Sequence, residues 1–132
     1  MGILVPFLET ASKDSAIEHL SLLLDGQEKH AIGIAPWPAY PYKPDAHFAI
    51  AYGHDCFFLK YYVTEKAIKA TYNQPNQPVH KDSCVEFFIA FGSDLNYYNL
   101  EFNCIGTCSI GFGRGRENRE FLPAALIRQI KS

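Results

Sequence analysis

Three polar residues stand among apolar neighbours at strand spacing: Glu86 between Val85 and Phe87, Glu101 between Leu100 and Phe102, and Asn103 between Phe102 and Cys104. Successive side chains of an extended chain point to opposite faces, so all three project from the face opposite the apolar row, where neighbouring strands bring them together. Carboxylates and amides in that setting exchange hydrogen bonds with hydroxyl-rich ligands, sugars above all. Arg114, Arg116 and Arg119 add guanidinium donors for hydroxyls or for a uronate carboxylate, unless they salt-bridge to Glu117 and Glu120 as a solvated loop. Trp37, Tyr40 and Tyr42 sit on a Pro-rich segment, a stiff mount for rings that stack on the C–H face of a sugar. The expected ligand-binding set is therefore Trp37, Tyr40, Glu86, Glu101, Asn103, Arg114 and Arg116. The plainer alternatives are a polar cluster that fixes strand register and an aromatic flap over the open end of a sheet structure.

Other chemistry finds little support. Glu86 and Glu101 could be imagined as a glycosidase pair, which needs two carboxyls at a set separation across the scissile bond. No Gly-x-Ser-x-Gly, His-Glu-x-x-His or P-loop motif occurs. Gly111-Phe112-Gly113-Arg114-Gly115 lacks the spacing of a nucleotide loop. His80 and Cys84 form a dyad only if the fold joins them. Cys104 and Cys108 have no second Cys pair or nearby His for zinc, and Met1 is the single Met, which removes Met–His haem ligation. Asp82 is expected to hold a turn, with calcium as the alternative. No cofactor and no metal is expected.

The elements that must position these residues follow from periodicity. Ser12 to Leu24 reads as an amphipathic helix with Ser15-Ala16-Ile17-Glu18 as a capping box. A short strand is expected around His30 to Trp37, then an extended Pro-rich stretch through Pro44. Phe48 to Val63 reads as a hairpin turning at Gly53-His54-Asp55, with one well-filled face. Asn73 to Pro78 is a loop, Cys84 to Phe91 and Tyr97 to Ile105 are strands, and Phe121 to Ile130 is a short helix. Short turns between successive strands imply antiparallel pairing. One domain over residues 1–132, mainly β and folded as a sandwich, is expected.

Composition narrows the partners. Hydrophobic residues make up 48 % of the 132, enough for a core without disulfides, and ten Phe with eight Tyr suit strands. A net charge of -2 with mixed signs argues against nucleic acid and anionic membranes, and no apolar run reaches the roughly 20 residues of a bilayer span. The start lacks a basic region and cleavage site, so the chain reads as cytoplasmic, or as mature after loss of a leader.

Lys81-Asp82-Ser83-Cys84-Val85-Glu86-Phe87-Phe88-Ile89, followed by Tyr97-Tyr98-Asn99-Leu100-Glu101-Phe102-Asn103-Cys104-Ile105-Gly106-Thr107, resembles the family 9-like carbohydrate-binding domains. Tyr61-Tyr62-Val63-Thr64-Glu65 is similar to the family's strand leading into an acidic turn, and the resemblance extends over roughly Trp37 to Ile130. It implies an immunoglobulin-like β-sandwich with one or two short helices that binds a saccharide without chemistry. Where characterised members carry a clamp Trp ahead of the Asp-Ser pair, this chain has Val79-His80-Lys81. Family domains also continue past the final helix into further strands, so the chain is a shortened member, or a fragment, or something else completes the sheet; if the strands are absent, self-association through an unpaired sheet edge is expected. The alternative is an interaction or assembly module that keeps the sandwich without sugar affinity.

Overall fold

The computed structural model describes residues 2–132. The fold is mainly β, with two antiparallel sheets and two short helices. The chain divides into two compact units, one running to Lys66 and the other Ala67–Ser132, with one sheet in each.

The first unit contains α1 (Ile17–Asp25), β1 (His30–Ala31), β2 (Asp45–Tyr52) and β3 (Phe57–Thr64) in sheet order β1-β2-β3. The hairpin at residues 53–56 is the one expected from alternation, but the helix covers the opposite face from the bulky row. Ala49 and Ala51 are fully buried and pack with Phe58, Leu20, Leu24 and Ala11. Small side chains there let a helix sit close to the strands, whereas Phe48, Ile50, Leu59 and Tyr61 on the other face are half-buried. The capping box does not form: α1 starts at Ile17, with Ala16 as its N-cap and no side-chain cap. Ser15 Oγ instead accepts from the Ser12 N–H at 3.0 Å and Ser12 Oγ from the Asp14 N–H at 3.2 Å, because these hydroxyls close local turns before the helix begins. A polar staple fixes the helix end to β3. Lys60 Nζ donates to Asp25 Oδ1 at 2.7 Å and to Ser21 Oγ at 2.6 Å, and Tyr62 also donates to Asp25. The Lys60 hydrogen bond, then that from Tyr62, holds the Asp25 carboxyl below its ordinary range. The strand expected to run on to Trp37 covers only His30–Ala31.

The second unit contains β4 (Cys84–Ile89), β5 (Tyr97–Asn103), β6 (Cys108–Gly113), β7 (Glu120–Phe121) and α2 (Ala124–Ile127), in sheet order β4-β5-β6-β7. Cys108, Ile110 and Ile127 are buried on its apolar face, with Tyr98, Leu100, Phe102 and Leu122 packed against them. β4 and β5 stop short of Phe91 and Ile105; β5 ends in a turn in which Gly106 takes φ +83, a conformation that disfavours a side chain. β6 occupies a stretch to which the sequence pattern assigns no strand. The expected helix from Phe121 is a two-residue strand and then a helix of four residues, since Pro123 lacks an N–H and serves as N-cap. Asn76, at φ 63, ties the preceding loop to this sheet. Its Nδ2 donates to Leu122 O at 2.7 Å and its Oδ1 accepts from the Ile110 N–H at 3.2 Å.

Candidate functional site

The register of the second sheet assembles one polar face. Glu86 lies opposite Glu101, and Glu101 opposite Ser109; Phe88, Asn99, Gly111 and Phe121 form the next row. Over these rows lies a cavity of about 410 Å³ whose floor includes Asn99, Glu101, Ser109 and Gly111. His80 and Gln77 line it from the segment before β4, and Arg116, Glu117, Arg119 and Phe121 from the β6–β7 side.

Glu101 is held in place by two neighbours. Asn99 Nδ2 donates to its Oε1 at 2.9 Å, and His80 Nδ1 lies 3.9 Å from Oε2. Glu86 sits directly across from Glu101, and its carboxyl is pushed above the ordinary range, first by desolvation and then by the Glu101 charge, with Arg119 and Arg116 opposing the shift. Asn99 is 3 % exposed, and its Oδ1 has no hydrogen-bond partner among the described residues.

Arg119 crosses the face on a track cleared by glycines. A Cβ at Gly111 would stand 3.0 Å from Arg119 Cδ, and one at Gly113 would stand 2.8 Å from Asn118 O. This explains a glycine-rich strand: the side chain occupies the space a substituent would need. The Arg119 guanidinium carbon lies 5.0 Å from the Tyr97 ring centroid and 5.7 Å from that of Phe88. Its Nη2 donates to the Tyr97 hydroxyl at 2.7 Å, while Nε is buried without an acceptor. No ion pair within 4 Å joins Arg114, Arg116 or Arg119 to Glu117 or Glu120 among the described residues, so the salt-bridged loop is not how this segment is built.

Of the residues singled out from sequence, the cavity gathers Glu101 and Arg116, with Glu86 beside Glu101 on the adjacent strand. Arg114 is exposed after β6 and is not part of the lining. Trp37 and Tyr40 belong to the first unit, 59 % and 76 % exposed, on a turn in which the Tyr40 N–H donates to Trp37 O at 2.9 Å. Asn103 faces inward at 4 % exposure. Its Nδ2 donates to Tyr72 O at 2.7 Å and Asp82 Oδ2 at 3.0 Å, and its Oδ1 accepts from the N–H groups of Ile105 and Thr107 at 3.3 and 2.9 Å. Asp82 also accepts from the Thr71 and Tyr72 N–H groups, both at 2.9 Å. Burial alone would raise the Asp82 carboxyl, but these donors outweigh it and leave it below the ordinary range. Val79, in the place of the clamp Trp, is fully buried. Asn99 and Arg119 complete the site; Asn99 shares the alternation that revealed Glu101, and Arg119 is one of the three guanidinium donors read from the sequence, outside the expected ligand-binding set.

The carbohydrate-binding family 9 model matches residues 18–132. A crystal structure from Bacteroides uniformis ATCC 8492, of a protein provisionally described as carbohydrate-binding, is similar at a TM-score of 0.84 and 32 % identity. The alignment covers 94 % of this chain and 57 % of that one, so the chain spans little more than half the length of its structural relative. No curated protein matches the chain. With most of its length matched by one family model and its fold shared with that relative, this chain belongs to carbohydrate-binding family 9.

Proposed function

We propose that the chain is a non-catalytic saccharide-binding module whose ligand occupies the cavity on the polar face of the second sheet. The carrying observation is the lining itself: Glu101 and Asn99 on the floor, with Arg116 and Arg119 at the side, provide convergent acceptors and donors in a recess of about 410 Å³. Two buried polar atoms of that lining, Asn99 Oδ1 and Arg119 Nε, have no partner among the described residues. A sugar ring needs such alternating donors and acceptors together with an apolar face, which Phe121 supplies at the rim. Glu86 adds an acceptor next to Glu101. These two carboxylates stand side by side on one sheet face rather than on either side of a bound glycosidic bond, which supports binding over hydrolysis. Trp37 and Tyr40 are proposed as a separate, exposed stacking platform, and Arg114 as a peripheral donor.

A glycan array followed by calorimetry tests this reading. A hit weakened about tenfold or more by Glu101→Ala or Arg119→Ala, the size expected for one charge-assisted hydrogen bond, supports it. A folded protein silent toward glucans, xylans, uronates and host glycans overturns it. Trp37→Ala separates the two surfaces: loss of binding only in that variant moves the site to the Pro-rich segment.

A further inference from the structure

Two carboxylates and two guanidinium groups line the cavity, and no ion pair joins them among the described residues. Glu101 is engaged by Asn99 and neighbours His80, while among the described residues no carboxylate lies within 4 Å of the guanidinium groups on the other side. Among the described residues Arg116 lines the cavity with no hydrogen bond or ion pair, and adjacent Glu117 does not pair with it. Arg119 is held by a neutral phenol and two rings, which fix its plane without neutralising it. Glu86 acts on both guanidinium groups only at a distance, so their forked donors stay open to a planar oxyanion, which they bind in bidentate fashion. Ser109 and Asn99 on the floor suit hydroxyls rather than a second charge.

We propose that this cavity takes a saccharide bearing a carboxylate, a hexuronic acid residue, with Arg116 and Arg119 facing the carboxylate and Glu101 with Asn99 facing the ring hydroxyls. The inference rests on the saccharide reading above and names its ligand class. Sulfated sugars offer a different oxyanion, tetrahedral at sulfur, and serve as a comparison.

The test is calorimetry on the whole chain with glucuronate and galacturonate oligosaccharides, their methyl esters, the neutral parent sugars and a sulfated counterpart. The acid is expected to bind about tenfold or more tightly than its ester, the scale of a charge-assisted pair, with the advantage falling as salt is raised. Arg116→Gln should bring the acid-to-ester ratio to about one, and Arg116→Lys should retain part of it because charge remains while the fork is lost. Equal binding of acid, ester and neutral sugar overturns the uronate assignment and leaves the saccharide reading standing. Preference for the sulfated sugar over the uronate also overturns it. No binding by any of the four overturns both.

Discussion

Removing the Asn103 side chain should loosen the second unit before it affects any ligand. Its amide makes four hydrogen bonds, joining the Tyr72 carbonyl, the Asp82 carboxylate and two N–H groups of the β5–β6 turn. At about 1 kcal/mol net for each bond, Asn103→Ala costs about 4 kcal/mol, with partial rehydration of the stranded partners lowering that and their burial raising it. For a chain of 132 residues this corresponds to a fall in Tm of about 15 °C. Asn103→Asp is the sharper probe because it keeps the acceptor that serves Ile105 and Thr107. It replaces the donor with an oxygen facing two acceptors, Tyr72 O and Asp82 Oδ2. The resulting carboxyl pair shares a proton poorly at neutral pH, so its folded-state pKa is raised. The destabilisation is complete above that pKa and shrinks as acid supplies the missing donor. Thermal melts followed by circular dichroism at neutral and mildly acidic pH would show this. A Tm within about 3 °C of the parent for Asn103→Ala, under 1 kcal/mol at this chain length, would refute the network reading. Unchanged stability with lost saccharide binding would return Asn103 to the ligand site.

Three further outcomes follow from the same geometry. Gly111→Ala should displace Arg119, because the new methyl stands 3.0 Å from its Cδ, and weaken saccharide binding more than it lowers Tm; equal affinity in calorimetry would contradict the glycine track. Glu86→Gln should stabilise the protein at neutral pH: the folded-state pKa is above the unfolded value, so the ionised form opposes folding at higher pH and the gain fades below about pH 4. Melting curves at the two pH values check the sign, and a destabilised variant at pH 7 refutes it. Native thiol labelling should modify exposed Cys104 first and spare Cys108, which is 6 % exposed and whose thiol burial pushes up to about 12; mass spectrometry finding Cys108 labelled early would overturn this order.

The strands with strict alternation were legible because a period of two survives any tertiary arrangement: the hairpin around Gly53, and the cores of β4 and β5, are where their side chains place them. What alternation cannot carry is which face another element will cover. Ala49 and Ala51 read as gaps between larger residues, yet they receive the helix. β6 was hidden for a related reason, since Gly111 and Gly113 weaken a strand pattern and their purpose depends on Arg119, which folds back over them from the other side of a loop. The capping box had the right residues, but nearer hydrogen bonds used the hydroxyl of Ser15.

Asn99, Glu101 and Asn103 show the same limit most clearly, for they occupy equivalent positions on one strand. Sequence pattern assigns all three to the polar face and says nothing of what meets them there. At one end, Asp82 and the Tyr72 carbonyl come from 21 and 31 residues away and engage Asn103 fully, together with the turn that follows it. Two and four residues earlier no donor or acceptor saturates the side chains in this way; Glu101 and Asn99 bond to each other and line a recess instead. The division between structural and ligand-facing use is therefore made by the segment Thr71–Asp82, which fastens one end of the polar row through Asp82 and brings Gln77 and His80 to the other. A substitution that frees this segment should act on both, lowering stability through Asn103 and altering the cavity through His80. For that reason Asp82→Asn, which keeps the size of the group, is a stronger test of the coupling than any change within the recess.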